Sequence, residues 1–473
     1  MLIRLASLVA LMLFTVQTAQ AQKQTMVDRI QQRESTTWDW ASRIWNLSEP
    51  GYQEVESARL LADALEAAGF RVERGVAEIP TAFTATFGSG SPVIAILGEY
   101  DALPGLSQQA VPEQLPRAGA TYGHACGHHL FGAASASAAI AIAEQIQNGK
   151  LQGTVRFYGC PAEEGGSGKT FMVRAGLFDD CDAALHWHPA SKNTAGDSSC
   201  LSRAAVKFRF IGRSAHAAGA PEQGRSALDA VELACHASEL LREHTPDFTR
   251  IHHVIVSGGA APNVVPDSAE VFFYLRHPKA EIVRELYPRL LKCAQAGALA
   301  TETKLEERYL GGTMELLPNN RLADVALANL REFNQLKYDN QQREFAQRIQ
   351  QTLTKPLPLD IISEVFDTSG EVGKGSTDVG DVSWVIPTAG FTTACFVPGT
   401  TSHSWQAVAA SGMSIGKQGM QLAAQTMAAS VWDLMTQPEI LIEAKQEHAR
   451  RREGRKYEPL LLPEQQPPLD YRN

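Results

Sequence analysis

The chain lacks features that mark several classes of protein. Only seven of its 473 residues are cysteine, an odd and low count for a disulfide framework. Basic residues are not in excess, since 43 lysines and arginines face 52 acidic residues, so no general positive charge favours nucleic acid. Hydrophobic residues make up 44%, too many for a disordered chain. This length and composition predict a globular protein of two domains, or of one large domain with an insertion.

Residues 1–21 form the segment with the strongest apolar character. Arg4 precedes an apolar stretch from Leu5 to Val16, and Ala19-Gln20-Ala21 follows with two small residues. This order is typical of a secretory signal peptide, and the stretch is short for a membrane span. A buried helix or a membrane anchor is the alternative. We expect export to the periplasm or the medium with cleavage after Ala21, and no membrane attachment afterwards.

Alternating strand and helix patterns predict an α/β sheet covered on both faces. Apolar runs at 92–98, 153–158 and 391–397 indicate strands, and the alanine-rich segments 129–147 and 414–434 indicate helices. Between about 204 and 309 the order becomes β-α-β-β-α-β, the ferredoxin-like arrangement. We therefore predict a mostly parallel-sheet domain interrupted by a ferredoxin-like insertion. The predicted divisions are a signal peptide at 1–21, the main domain at 22–202 and 312–446, the insertion at 203–311 and a tail at 447–473.

The segment Gly123-His124-Ala125-Cys126-Gly127-His128-His129 concentrates metal-ligand residues just before the alanine-rich helix. A cysteine and a histidine two residues apart can face one ion, and the flanking glycines allow a tight turn. A structural cysteine with surface histidines is the alternative. Export would expose a free cysteine to oxidation, a conflict that metal binding would resolve.

Glu163 and Glu164 follow the predicted strand at 153–158. Two adjacent carboxylates after a buried strand are costly unless they bind something positive, although a solvated acidic loop is possible. One glutamate can bind metal while the other acts as general base on the attacking water. The nearby Gly168-Lys169-Thr170 resembles the end of a phosphate-binding loop, but Glu163 occupies the position of that loop's first glycine. A nucleotide site is therefore rejected.

Three further histidines lie at predicted strand ends. His186 and His188 share one side of a strand that starts near Asp182, so either can reach a site at its end. His403 lies in a loop beyond the strand at 391–397, at the edge where open α/β sheets bind ligands. Nitrogen, oxygen and one sulfur ligand suit zinc, manganese, cobalt or nickel better than magnesium or calcium.

The order Cys-Gly-His, Glu-Glu-Gly, strand-end His and late loop His resembles the M20 family of metallopeptidases and amidohydrolases. Within that family it is most similar to the aminobenzoyl-glutamate hydrolase B-subunit type. The resemblance extends from about residue 27 to 450 and is carried by Gly98–Leu103, Val155–Gly176 and Ser376–Trp384. It implies a two-metal centre, with Zn or Mn favoured and Co or Ni possible, that hydrolyses amide bonds of N-acyl amino acids or dipeptides.

The resemblance also implies residue roles. Glu163 would be the general base that acts on a metal-bound water. His188 is favoured over His186, because related auxin-conjugate hydrolases have the histidine at one place and the B-subunit type at the other. His129, where many relatives have Asp or Asn, would orient a ligand in a role that this substitution puts in doubt. The implied metal ligands are Cys126, which possibly bridges the two ions, with His128, Glu164, His188 and His403.

The inserted domain matches the family's lid and dimerisation domain. His216, in Gly212-Arg213-Ser214-Ala215-His216, would stabilise the oxyanion in a neighbouring subunit's site. Asn263 and Arg276 match substrate-binding positions, and Arg276 would bind a substrate carboxylate. The implied assembly is a homodimer or a hetero-oligomer with a related A-type chain. The alternatives are a catalytically silent subunit that needs a partner chain, and a zinc deaminase, which requires a Pro-Cys-x-x-Cys pair that is absent here.

Overall fold

The computed structural model describes residues 20–472, so the predicted signal peptide lies almost wholly outside the described residues. Thirteen helices occur within this range: α1 20–32, α2 Glu34–Leu47, α3 Val55–Ala67, α4 His128–Gln147, α5 Gly168–Arg174, α6 Ala227–Arg242, α7 Ala280–Thr301, α8 Asn320–Phe333, α9 Asn340–Gln350, α10 Val379–Val385, α11 Trp405–Ser411, α12 Ser414–Thr436 and α13 Pro438–Arg452. None of them combines the length and apolar character that crossing a bilayer requires.

Fourteen strands form three sheets within the same range. Their bounds are β1 Arg71–Arg74, β2 Phe83–Ser89, β3 Val93–Glu99, β4 Leu103–Pro104, β5 Tyr122–Gly123, β6 Gly153–Cys160, β7 Ala183–Ala190, β8 Asn193–Ala195, β9 Ser202–Ile211, β10 Arg250–Ser257, β11 Ser268–His277, β12 Lys304–Thr313, β13 Val365–Asp367 and β14 Thr388–Ala394.

The largest sheet has eight strands in the order β1-β2-β6-β3-β7-β14-β8-β13. Its centre, β6-β3-β7-β14, is parallel throughout. Helix α4 packs against β3, β6 and β7 and also contacts α2 and α12. Because α4 is enclosed on all sides, it is apolar around its whole circumference rather than along one stripe. The predicted α/β class with a mostly parallel sheet is confirmed.

A second, antiparallel sheet in the order β10-β11-β9-β12 stands apart from the first. Helices α6 and α7 cover one of its faces, where alternate strand residues such as Phe208, Val271 and Phe273 form a separate core. The chain order β9-α6-β10-β11-α7-β12 is the predicted ferredoxin-like order. Its strands run from Ser202 to Thr313, close to the predicted bounds of 203–311.

Two segments without a core signal in the sequence contribute to the core. Helix α9 buries Phe345, Ala346 and Ile349 against the main domain, and Asp339 caps its start. Beyond α13, the C-terminal segment 453–472 crosses both domains and buries Leu460 and Tyr471. Its apolar residues have no regular period, because each fills a separate gap, and so the sequence pattern does not reveal them.

Candidate metal centre

The predicted site residues gather at the carboxyl ends of the parallel strands. Strand β3 ends at Glu99, β6 is followed by Glu163 and Glu164, and β7 carries His188 near its end. His403 follows β14, the neighbour of β7. Since parallel strands end at one edge of a sheet, residues distant in the chain meet there.

Gly127 brings the Cys126 loop against strand β7. Its φ of +78° lies in the left-handed region, and a Cβ on it would lie 2.7 Å from Cβ of Pro189. Only glycine allows this approach without displacing the strand. As a result, Sγ of Cys126 lies 3.3 Å from Nε2 of His188.

A backbone hydrogen bond holds the His403 loop in place on the other side of Cys126. The N–H of His403 donates to the carbonyl oxygen of Ala125 at 3.0 Å, and His403 has a φ of +60°. Its Nε2 then lies 3.1 Å from Oε1 of Glu164.

Three overlapping groups of ligand atoms result, each with all its atoms within 4.8 Å of one another. The groups are Cys126-His128-His188, Cys126-Glu164-His403 and His128-Glu163-Glu164. The first two share only Cys126, the arrangement expected of a thiolate between two adjacent ion positions. The structure thus brings together all five predicted ligands and the predicted base.

His188 and His186 differ in what their rings face. Nδ1–H of His188 donates to the carbonyl oxygen of Pro189 at 2.8 Å, so its Nε2 carries the lone pair beside Cys126. His186 lies against Gly390 on β14, where its Nε2 would be 2.2 Å from an added Cβ. It belongs to no ligand group among residues 20–472 and lines an adjoining cavity of about 150 Å³. Burial lowers the pKa of His186 to about 3.

The cluster polarises its own members. Burial and Glu164 would raise the pKa of Cys126, but His188 and His128 outweigh them and lower it to about 6. Burial also opposes ionisation of Glu164, yet the hydrogen bond from His403 holds its pKa well below the usual range. Hydrogen bonds to Cys126 and Glu164 raise the pKa of His403 to about 11. In contrast, burial and the charge of Glu164 raise the pKa of Glu163. The two adjacent glutamates therefore have opposite tendencies.

A buried network, which sequence reasoning missed, supports the ligands. Asp101 accepts from Nδ1 of His128 at 2.7 Å and from the N–H of Glu164 at 2.9 Å. Lys169 is fully buried, with Nζ 2.5 Å from Glu99 and 2.7 Å from Asp378. The lysine of the phosphate-loop-like segment is thus neutralised within the protein. The available signal was the pair of segments Gly98–Leu103 and Ser376–Trp384, which supply these carboxylates.

The cluster passes a test for metal binding on its own geometry. Nε2 of His128 and Oε1 of Glu164 are buried and have no hydrogen-bond partner, although both lie in the ligand groups. Unsatisfied buried polar atoms are rare in folded proteins, and those aimed at one point fit a cation. A thiolate, three imidazoles and a carboxylate are the donors that zinc and its neighbours prefer.

The remaining predicted residues lie elsewhere. His216 and Asn263 are exposed neighbours in the antiparallel-sheet domain, where the carbonyl oxygen of Asn263 accepts from the N–H of Ala217. Neither forms a hydrogen bond or ion pair with the cluster within residues 20–472. Arg276 lies on β11, beside the ring of Tyr274. His129 bonds through Nε2 to the carbonyl oxygen of Ser411 and orients none of the predicted ligands.

Comparison with known families agrees with this geometry. The model of peptidase family M20/M25/M40 matches residues 95–429. The chain belongs to this family. The M20 chain is 43% identical over 438 residues to the p-aminobenzoyl-glutamate hydrolase B-subunit of Escherichia coli (strain K12), and the match covers 87% of this chain and 91% of that protein.

Two further comparisons extend the similarity. Xaa-Arg dipeptidase of Homo sapiens is 29% identical over 424 residues, covering 84% of the M20 chain and 85% of that protein. A dinuclear metal-binding M20 peptidase of Bacillus subtilis shares the fold, with a TM-score of 0.55 at 17% identity over 86% of this chain and 99% of that one. The predicted family and the prediction of an M20-type hydrolase are confirmed.

Proposed function

We propose that this chain hydrolyses the amide bond of N-acyl amino acids such as aminobenzoyl-glutamate, or of dipeptides. The observation that carries the proposal is the pair of ligand groups that share Cys126, with Glu163 and its raised pKa beside them. The 43% identity to a hydrolase named for aminobenzoyl-glutamate supports this substrate class.

In this proposal the cluster holds two divalent ions, zinc or manganese, with cobalt or nickel as the other suitable metals. Cys126 lies between the two positions, with His128 and His188 on one side and Glu164 and His403 on the other. When bound, such ions supply Lewis-acid polarisation of the amide carbonyl and lower the pKa of water. The low pKa of Cys126 keeps its sulfur in the thiolate form that metals bind.

Glu163 acts as general base in the proposed reaction. Its carboxylate accepts a proton from the attacking water and delivers it to the nitrogen of the leaving amine. A raised pKa suits both steps, because a stronger base accepts the proton readily and its acid form persists near neutral pH. Glu164, with its lowered pKa, stays ionised and serves as a ligand.

His216 is proposed to stabilise the oxyanion in a neighbouring subunit. Its Nδ1 accepts from the N–H groups of Ala218 and Gly219 at 3.2 and 3.0 Å, so in the neutral ring the proton lies on Nε2. That N–H is a fixed donor at the surface, as an oxyanion contact requires. Edge strand β10 exposes Val254, Ile255 and Val256, an apolar edge suited to a homodimer or a partner chain.

Export to the periplasm or the medium, after removal of residues 1–21, remains part of the proposal and rests on the order of residues in that segment. Binding of metal by Cys126 would protect its thiol in such a compartment. A cell-fractionation assay of the full chain, with cleavage mapped by N-terminal sequencing, tests this point. Recovery of the uncleaved chain in the cytoplasm would contradict it.

The direct test of activity is a hydrolysis screen of N-acyl amino acids and dipeptides with purified protein and each of the four metals. We expect turnover of aminobenzoyl-glutamate or a related compound. The second candidate function, a silent subunit, is favoured by one observation, namely that the E. coli relative is named as the B-subunit of its hydrolase. Turnover only after addition of an A-type chain would support this second function.

A further inference from the structure

Two arginines of the antiparallel sheet flank one aromatic ring. Arg203 on β9 pairs with Arg276 on β11, so both side chains leave the sheet on the same face. Their guanidinium carbons lie 4.8 and 5.4 Å from the ring centre of Tyr274. This face is opposite to the one covered by α6 and α7, and at this end it meets the main domain.

These arginines have no acidic partner. Among residues 20–472, no carboxylate lies within ion-pair distance of Arg203 or Arg276, and Nε of each is buried without a hydrogen-bond partner. Arg203 is only 6% exposed. Lys207, on the same strand and face, shows the contrast, because Glu270 neutralises it at 3.4 Å. A buried cation without a counter-charge is costly unless a ligand supplies one.

The arginine pair adjoins the loop that carries the proposed base. Nη2 of Arg203 donates to Oγ of Ser167 at 2.9 Å, three residues beyond Glu164. Tyr274 Oη would lie 2.8 Å from a Cβ added to Gly165. Burial and Arg203 lower the pKa of Arg276, while Glu163 and Glu164 oppose the shift. The unpaired positive charge therefore faces the place where a substrate would lie.

We propose that Arg203 is a specificity-determining residue that binds a second carboxylate of the substrate, the first being bound by Arg276. The substrate class is then an N-acyl dicarboxylic amino acid, an acyl-glutamate or acyl-aspartate. Neighbouring strands lie about 4.8 Å apart, a separation that the two carboxyl groups of glutamate can span. A planar guanidinium binds carboxylate through two parallel hydrogen bonds, which neither a neutral amide nor an apolar side chain can replace. This inference names the substrate class of the site and rests on the proposed function.

The test measures binding, so that it is separate from turnover. The probes are N-(4-aminobenzoyl)-glutamate and its γ-amide, N-(4-aminobenzoyl)-glutamine, which differ in the second carboxylate alone. Both are titrated by calorimetry into the zinc-loaded Glu163→Gln protein, alone and combined with Arg203→Met, Arg203→Lys or Arg209→Met. Arg209 is the matched control, since it is an exposed arginine on the same strand and face. Thermal unfolding of each variant identifies a loss of fold.

We expect the glutamate probe to bind roughly 10- to 100-fold more tightly than the glutamine probe, as for a charge-assisted hydrogen-bonded pair. Arg203→Met should reduce this ratio to within about twofold. Arg203→Lys, which keeps the charge, should retain part of it, and Arg209→Met should leave it unchanged. If Arg203→Met does not fold, the ratio in Arg203→Lys decides, because loss of the paired hydrogen bonds must lower it.

Equal binding of the two probes at the outset, or an unchanged ratio in both Arg203 variants, would overturn the inference. Turnover by the wild-type protein is measured in parallel. Hydrolysis with equal binding of the probes would leave the proposed function standing without the arginine site. Absence of hydrolysis with an Arg203-dependent preference would overturn the proposed function and keep the carboxylate site.

Discussion

At the scale of single residues, the metal centre depends on which atom of each side chain is free. His188 and His186 are equivalent in the sequence, since both project from one face of β7. They differ because the carbonyl oxygen of Pro189 fixes the proton of His188 on Nδ1, whereas His186 packs onto Gly390. Strand alternation identifies the shared face but carries no information about hydrogen-bond partners. The choice between them therefore requires coordinates.

Separate alanine substitutions at these two histidines test the ligand assignment. His188→Ala removes an imidazole beside Cys126, and we expect metal affinity to fall by more than about 10-fold, with loss of about one of two bound ions. His186→Ala is the control and should leave metal content unchanged. Metal per chain, measured by atomic emission after dialysis, gives the result. Wild-type metal content in His188→Ala would remove His188 from the ligand set.

At the scale of elements, much of the site could be predicted from the sequence and part of it could not. The Cys126 loop, the Glu163-Glu164 turn and the His403 loop each follow or precede a recognisable apolar element, so their common edge was predictable. The network of Asp101, Lys169 and Asp378 was not, because burial of a charged pair leaves no periodic pattern. The C-terminal segment was missed for the same reason.

The C-terminal segment provides the second prediction. Tyr471 is buried against Tyr52, and its Oη donates to the carbonyl oxygen of Glu164 at 3.1 Å. Tyr471→Phe removes this hydrogen bond while keeping the ring. We expect the free energy of unfolding to fall by about 0.5–1.5 kcal/mol and metal affinity to fall a few-fold, because the bond holds the loop of a ligand.

Denaturant unfolding and metal titration measure the two effects of Tyr471→Phe. Leu469→Ala is a suitable control, since Leu469 is an exposed residue of the same segment. A loss of stability without any change in metal affinity would show that Tyr471 only packs, and would contradict its role in positioning Glu164.

At the scale of the whole molecule, Asp381 joins the two domains and the C-terminal segment. Its carboxylate accepts from Tyr457 Oη at 2.8 Å, from Thr170 Oγ1 at 3.0 Å and from the N–H of Met314 at 3.2 Å. Tyr457 belongs to the C-terminal segment, Thr170 to α5, and Met314 follows β12 directly. The sequence predicted two domains, but it did not predict that one buried carboxylate would connect them.

This junction predicts a pH dependence of stability. Burial raises the pKa of Asp381 from 3.8 to about 7, despite the three hydrogen bonds. The folded state therefore binds a proton that the unfolded state has released between these two values, and the stabilisation is present below the lower value and lost as pH rises toward the higher one. Asp381→Asn cannot ionise, so the free energy of unfolding should decline less between pH 4 and 7 than in the wild type. Parallel slopes for the two proteins would contradict the raised pKa.

The most direct test of the central claim separates the base from the ligands. The wild-type protein and Glu163→Gln are loaded with zinc or manganese, and both hydrolysis of aminobenzoyl-glutamate and metal per chain are measured on the same samples, with the A-type chain supplied if the wild type needs it. We predict that Glu163→Gln binds two ions per chain as the wild type does, while its turnover falls by at least about 100-fold, as for loss of a general base. Turnover near the wild-type rate in the metal-loaded variant would contradict the account.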